Sequence, residues 1–223
     1  ILGALEILFG LPNLDKIVSR EKVIHIYGDL GSGKTTLALQ ASINAVLTHR
    51  GKKVVYVDCA GRFDPRRLKI MNKEHFSYVA RKIVMLSPKN YKEQIEIVDY
   101  IPFLAKKSSL IIFDDFTHFI WERCVIEKNN PMPYFLELNR ELGFFRFFSD
   151  KLGVKIIITN MITSFDRKLP LFHNLINFWT DLDIGVFRVF GNSELREFLI
   201  SPIGVRIRAI LTERGFKELS SMD

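Results

Sequence analysis

The sequence predicts a single α/β domain over residues 1–223, with a mostly parallel central sheet flanked by helices and a C-terminal antiparallel β extension. Three observations predict it. Short apolar runs of strand length alternate with helical patterns through most of the chain. A glycine-rich turn, Gly28-Asp29-Leu30-Gly31-Ser32-Gly33-Lys34-Thr35, joins the first clear strand to a helix. From Ile176 onward the hydropathy changes to period two, with turn residues between the runs.

Residues 1–20 read as a short lead-in. Leu2, Leu5, Leu8 and Phe9 are apolar, Gly10-Leu11-Pro12 breaks the run, and Asn13 is placed to cap a turn through Ile17. Val23 to Tyr27 is a buried strand. The helix after the turn opens at Thr36, with Leu37, Ala41 and Ala45 on one face. Strand, turn and helix match the pattern G-x-x-x-x-G-K-[ST] without a mismatch. In that pattern backbone N–H groups wrap phosphates, and the helix dipole favours negative charge. Gly28, Asp29, Leu30, Gly31, Ser32, Gly33, Lys34, Thr35 and Thr36 are therefore the expected phosphate-binding set. Lys34 is expected to reach the β- and γ-phosphates and to serve catalysis, and Thr35 to hold Mg²⁺.

Arg50-Gly51-Lys52-Lys53 ends this helix, and Val54 to Asp58 is a second buried strand. Gly61 to Leu68 is a loop running into a short helix. Ile83 to Leu86 is a third strand, and Lys89 to Lys107 reads as one helix with Tyr91, Ile95 and Val98 on its inner face. Leu110-Ile111-Ile112-Phe113-Asp114 is four apolar residues followed by an acid. After a clean phosphate loop this reads as a Walker B strand, with Asp114 as a metal-binding acid. Pro131 to Leu152 is a long helix with a core stripe of Phe135, Leu138, Leu142, Phe145 and Leu152, widened by Phe144, Phe147 and Phe148. These aromatics read as packing rather than a base-stacking platform. Gly153 closes the helix, Val154 to Asn160 is a further strand, and Met161 to Asn174 is a polar loop carrying Arg167 and Lys168. The remaining strands are Ile184 to Phe190, Leu195 to Ser201 and Val205 to Leu211, with Gly191-Asn192 as a turn. In the last strand Arg206 and Arg208 alternate with Val205, Ile207 and Ala209, giving one buried and one basic face.

Net charge is +7, a basic excess that permits a polyanionic partner without requiring one. The two cysteines, Cys59 and Cys124, have neither C-x-x-C nor metal-framework spacing. No apolar run is long enough to span a membrane, and the N-terminal stretch lacks a signal-peptide pattern. A reducing, cytoplasmic setting is expected.

These landmarks, in this order, resemble the ATPase core of the RecA/RadA recombinase family. The similarity is strongest to archaeal RadA paralogs that lack the N-terminal domain, the RadB-like group, and covers essentially the whole chain. Tyr56-Val57-Asp58-Cys59-Ala60 resembles the family's Y-[IV]-D-T-E, and Phe63-Asp64-Pro65-Arg66-Arg67 its F-x-P-x-R. That resemblance implies an adenine-packing role for Arg67. Ile157-Ile158-Thr159-Asn160 is similar to V-V-T-N, and Leu211-Thr212-Glu213-Arg214-Gly215-Phe216 to the family's closing I-T-E-x-G-I. The resemblance implies a RecA-like fold, ATP and Mg²⁺ as cofactors, a recombinase or another paralog as protein partner, single-stranded DNA as nucleic-acid partner, and a chromosome-associated place in the cytoplasm.

Two departures bear on turnover. The family's water-orienting Glu falls at Ala60, and its γ-phosphate-sensing Gln falls at Met161. A methyl group activates no water, and a thioether is a weak acceptor. Loss of such a base costs about two to four orders of magnitude in rate. Asp58, at a strand end, and Asp115, beside the metal-binding acid, are the candidate substitutes. Two readings follow from the resemblance. One is an ATP-binding paralog with weak or absent hydrolysis that assists recombination on DNA. The other is a pseudo-ATPase scaffold that acts only through protein contacts. A small-molecule kinase ranks last, because the late chain is alternating strands rather than an Arg-rich lid.

Overall fold

The structure is a computed structural model, and it describes residues 8–126, 130–162 and 169–219. In chain order the elements are α1 (Pro12–Val18), β1 (Val23–Gly28), α2 (Lys34–Thr48), β2 (Lys53–Asp58), α3 (Pro65–Met71), α4 (Phe76–Lys82), β3 (Ile83–Leu86), α5 (Tyr91–Asp99), α6 (Ile101–Ala105), β4 (Ser108–Asp114), α7 (His118–Trp121), α8 (Met132–Leu152), β5 (Lys155–Met161), α9 (His173–Trp179), β6 (Leu182–Val189), β7 (Asn192–Ser201), β8 (Val205–Thr212) and β9 (Gly215–Glu218).

Among the described residues, nine strands form one sheet in the order β3-β2-β4-β5-β1-β6-β7-β8-β9. The strands from β3 to β6 run parallel. The chain then meanders antiparallel from β6 to β9. This is the mixed α/β architecture expected from the sequence, with the antiparallel extension attached directly to the parallel sheet. β1 lies between β5 and β6, and all six of its residues are buried. A strand covered on both faces reads as a continuous apolar run. The exception in β1 is His25, whose Nδ1 lies 3.2 Å from Oδ1 of its register partner Asp183.

Two cores sandwich the sheet. One packs α1 and α2 against β1 and the antiparallel strands, through Leu14, Leu37, Ile26, Ile184, Phe198 and Phe216. The other packs α5, α6, α8 and α9 through Val98, Ile101, Leu142, Phe145 and Ile176. Phe113, Phe116 and Phe145 meet ring to ring within it, with centroids 4.8–5.6 Å apart. Aromatics of the long helix therefore do pack.

Several local expectations are corrected. Asn13 does not cap α1. Leu11 holds the cap position, and the carboxylate of Asp15 instead accepts the backbone N–H groups of Leu8, Phe9, Gly10 and Leu11. The expected helix from 89 to 107 is two, α5 and α6, because Pro102 has no N–H to continue the first and starts the second. The stripe of α8 is narrower than expected: Leu138, Leu142 and Phe145 are buried, while Phe147 and Leu152 are exposed, and Glu141 and Ser149 lie inside. Period two begins only at Leu182, since His173–Trp179 is helical. Arg167 and Lys168 lie outside the described residues, as do Leu2 and Leu5.

Candidate functional site

The turn after β1 runs into α2 at the carboxyl end of the parallel strands, the edge where open α/β sheets bind ligands. Two glycines in it are dictated by space and conformation. A Cβ at Gly28 would lie 2.2 Å from the Val186 carbonyl of the neighbouring strand. Gly33 has φ +113°, and a Cβ there would meet the Phe216 ring at 2.5 Å. The loop is also held from outside. Arg188 of β6 donates to the Leu30 carbonyl at 2.8 Å, and Arg196 of β7 donates to the Ser32 carbonyl at 2.9 Å.

Beneath the loop lies a cleft of about 190 Å³, lined by Leu30, Gly31, Gly33, Lys34, Thr35, Thr36, Arg62, Asp114, Asp115, Thr159 and Leu211. Lys34 is buried, and its Nζ donates to the carbonyls of Gly28 and Asp29, both at 2.8 Å. Burial pulls its pKa below the usual lysine value, against the opposing pull of Asp115 and Asp114. Asp114, at the end of β4, accepts hydrogen bonds from three hydroxyls. Thr35 and Tyr56 donate to Oδ2, each at 2.8 Å, and Thr159 donates to Oδ1 at 2.6 Å. Burial and the Asp114 charge hold the Tyr56 phenol well above its ordinary pKa, so it stays a donor. The phosphate turn, β2, β4 and β5 thus converge on one carboxylate.

Asp115 follows in a left-handed conformation, φ +58°, which few non-glycine residues adopt. Its N–H donates to Thr159 Oγ1 at 2.7 Å, and its side chain lines the cleft. Burial raises its pKa, Arg62 opposes the rise, and Asp114 adds to it. The structure brings Asp115 into the cleft but not Asp58. Both oxygens of Asp58 face the loop that follows β2, accepting the N–H groups of Arg62 at 2.9 Å and Phe63 at 2.8 Å. Arg67 stands at the rim, donating to the Thr212 carbonyl at 3.1 Å, next to the lining residue Leu211. Ala60 and Met161 are not among the lining residues. Gly28, Asp29 and Ser32 contribute backbone to the turn rather than lining.

Sequence reasoning missed Arg62, Tyr56 and Thr159 as site residues. Tyr56 and Thr159 lie in the carboxyl halves of the two strands flanking β4, so the sheet order would have singled them out. Arg62 carries no such signal, because its place depends on how one loop folds over the strand edge.

A family model described as "Zonular occludens toxin (Zot)" matches residues 22–182, and the chain belongs to the family it describes. That stretch holds the phosphate turn, Asp114 and Thr159, and stops at the first residue of β6. The chain is 29% identical over 227 residues to "DNA repair and recombination protein RadB" of Thermococcus onnurineus, covering 94% of this chain and 96% of that protein. It is also 29% identical over 163 residues to the protein of the same name from Methanobrevibacter smithii, covering 70% and 67% respectively. The chain is thus RadB-like over nearly its whole length, as the resemblance to the RecA/RadA recombinase family implies. The crystal structure of the RadB recombinase superposes with a TM-score of 0.73 at 23% identity, covering 89% of this chain and 91% of that one. Its match extends past the span of the Zot model into the antiparallel strands, and it shows the RecA-like fold for this RadB-like chain.

Proposed function

We propose that this RadB-like chain binds ATP with Mg²⁺ in the cleft, turns it over weakly or not at all, and assists homologous recombination and DNA repair together with a recombinase or another paralog on single-stranded DNA. One observation supports the nucleotide reading above the others: the Thr35 hydroxyl and the Asp114 carboxylate meet at 2.8 Å beside the buried Lys34 ammonium. A hydroxyl and a carboxylate are hard oxygen donors, the set that suits Mg²⁺. Thr35 and Asp114 would hold the ion, which would neutralise phosphate charge when bound. Lys34 would exchange the carbonyls of Gly28 and Asp29 for phosphate oxygens. The turn's backbone N–H groups would wrap the phosphates, and Arg67 beside Thr212 would cover the base. The cleft is small for a whole nucleotide and suits its phosphates, with the base on the rim.

The role in recombination and repair rests on the RadB relatives. For turnover, Asp115 is the acid we place at the reacting phosphate, because Asp58 spends both oxygens on backbone N–H groups. The scaffold reading, contact with a partner protein and no chemistry, is favoured by Ala60 and Met161, which supply neither a base nor a phosphate sensor.

The test is steady-state ATP hydrolysis and ATP binding with Mg²⁺, with and without single-stranded DNA, beside a Lys34→Ala control. Binding that the control loses, with little turnover, is the expected result. Absence of ATP binding in the unaltered chain would sink the nucleotide reading and leave the scaffold.

A further inference from the structure

Arg62 is a lining cation that neither the phosphate pattern nor the resemblance assigns. It enters the cleft with Lys34, Thr35, Asp114 and Asp115, and its side chain is 42% exposed. Its pivot is fixed. The Asp58 carboxylate takes the N–H groups of Arg62 and of the next residue, Phe63, so the backbone there is held while the side chain is not.

The guanidinium faces Asp115. Arg62 Nη1 lies 3.3 Å from Asp115 Oδ2, close enough for attraction. Yet that oxygen is buried and has no hydrogen-bond partner among the described residues. The pair is therefore a charge contact without the aligned hydrogen bonds that make an Arg–carboxylate fork strong. Among the described residues no hydrogen bond takes up the guanidinium. Lys34, by contrast, spends its donors on two carbonyls of the turn. The cleft thus holds a second cation with its planar fork uncommitted, at the end where Asp114 and Asp115 stand.

Building on the nucleotide reading above, we propose that Arg62 is a phosphate-contacting residue held in reserve by Asp115. When a nucleoside triphosphate fills the cleft, its guanidinium leaves Asp115 Oδ2 for the terminal phosphate oxygens. Three phosphate oxygens offer bidentate geometry that one unaligned carboxylate oxygen does not. The exchange makes the site read the third phosphate: a diphosphate leaves Arg62 on Asp115, and a triphosphate draws it away. It also releases the Asp115 carboxylate into the cleft only when a triphosphate is bound.

The experiment is calorimetric titration of the full chain, in Mg²⁺, with ADP and with an ATP analogue whose β–γ bridge cannot be hydrolysed. Arg62→Ala should weaken the analogue about tenfold or more, as expected for a charge-assisted hydrogen bond, and leave ADP within about twofold. Unchanged ADP affinity also shows that the variant is folded. Arg62→Lys should recover only part of the loss. Asp115→Asn should raise the preference for the triphosphate, and that gain should vanish in the double variant Arg62→Ala/Asp115→Asn. Equal loss for both nucleotides, or no loss, would overturn the assignment while leaving the nucleotide site standing. So would a gain from Asp115→Asn that persists without Arg62. If the unaltered chain binds neither nucleotide, the site reading falls and the Arg62 assignment with it.

Discussion

The guanidinium of Arg196 donates from Nε to the carbonyl of Ser32 at 2.9 Å, joining the second antiparallel-paired strand to the phosphate turn across 164 positions of sequence. The same side chain donates from Nη1 to the carbonyls of Ser193 and Leu195. Its register partner Arg188 takes the Leu30 carbonyl. Two adjacent strands that hold none of the expected phosphate-binding residues thus brace the loop that carries them.

Arg196→Ala should therefore cost about 1–3 kcal/mol of stability, since it strands the buried Ser32 carbonyl as well as removing charge-assisted bonds. Urea unfolding measures this, and titration with the non-hydrolysable ATP analogue should show weaker binding in the same variant. A change below about 0.5 kcal/mol would mean that the loop keeps its shape unaided.

Asp114→Asn keeps the size of the side chain but removes its charge. Thr35, Tyr56 and Thr159 all donate to this carboxylate, so each loses a charged acceptor. Nucleotide affinity with Mg²⁺ should fall to the value measured in EDTA. A Mg²⁺ dependence identical to that of the unaltered chain would place the ion elsewhere.

Glu141 makes a pH prediction. It is fully buried in the core beneath α8, where burial holds its carboxyl well above the usual glutamate range. Gln94 reaches Oε2 at 3.4 Å, and Oε1 has no partner among the described residues. The unfolded chain titrates this group near its ordinary value, about 4.3. Between that value and the raised one the folded state binds the extra proton, so this group's contribution to stability falls as pH rises. Glu141→Gln should remove that fall. The variant should exceed the parent in denaturant midpoint at pH 7–8 and converge with it near pH 4. Parallel midpoints across that range would show that the carboxyl is not held neutral.

Arg206 and Arg208 project from the exposed face of β8, where Glu197 stands 3.5 Å from one and 4.0 Å from the other. If the basic face carries single-stranded DNA, replacing both with Ala should weaken binding and flatten its logarithmic salt dependence by about 1.4, near 0.7 for each phosphate that is no longer neutralised. An unchanged slope would confine DNA binding to other residues.

Much of this fold was legible because its signals are local. The run Val23–Tyr27, the glycine turn and the acid at the end of β4 each announce themselves within a few residues. The antiparallel end also followed, from the alternation of Arg206 and Arg208 with Ile207 and Ala209. What escaped depends on partners distant in the chain. Asp58 stands at a strand end like a catalytic acid, but the loop folds back and takes both its oxygens. Arg62 becomes a site residue only because Asp115, beyond another strand, faces it. Helix α9 was hidden because its single buried residue, Ile176, carries no 3.6-residue pattern. Helix α4, with only Val79 buried, was hidden for the same reason.

The central place of β1 has a consequence for the order in which the protein takes shape on the ribosome. The phosphate turn leaves the ribosome ahead of β5 and β6, the strands that flank β1, and ahead of Arg188 and Arg196, which hold the turn from outside. At about 5–20 residues per second, synthesis reaches those arginines roughly 10–30 s after the turn. Until β5 is made, Val23 to Tyr27 is an apolar segment with neither of its sheet partners, and β6 joins it only later. The turn is thus made early and braced late, and a truncated product ending before β6 would carry the whole phosphate motif without the two arginines that hold it from outside.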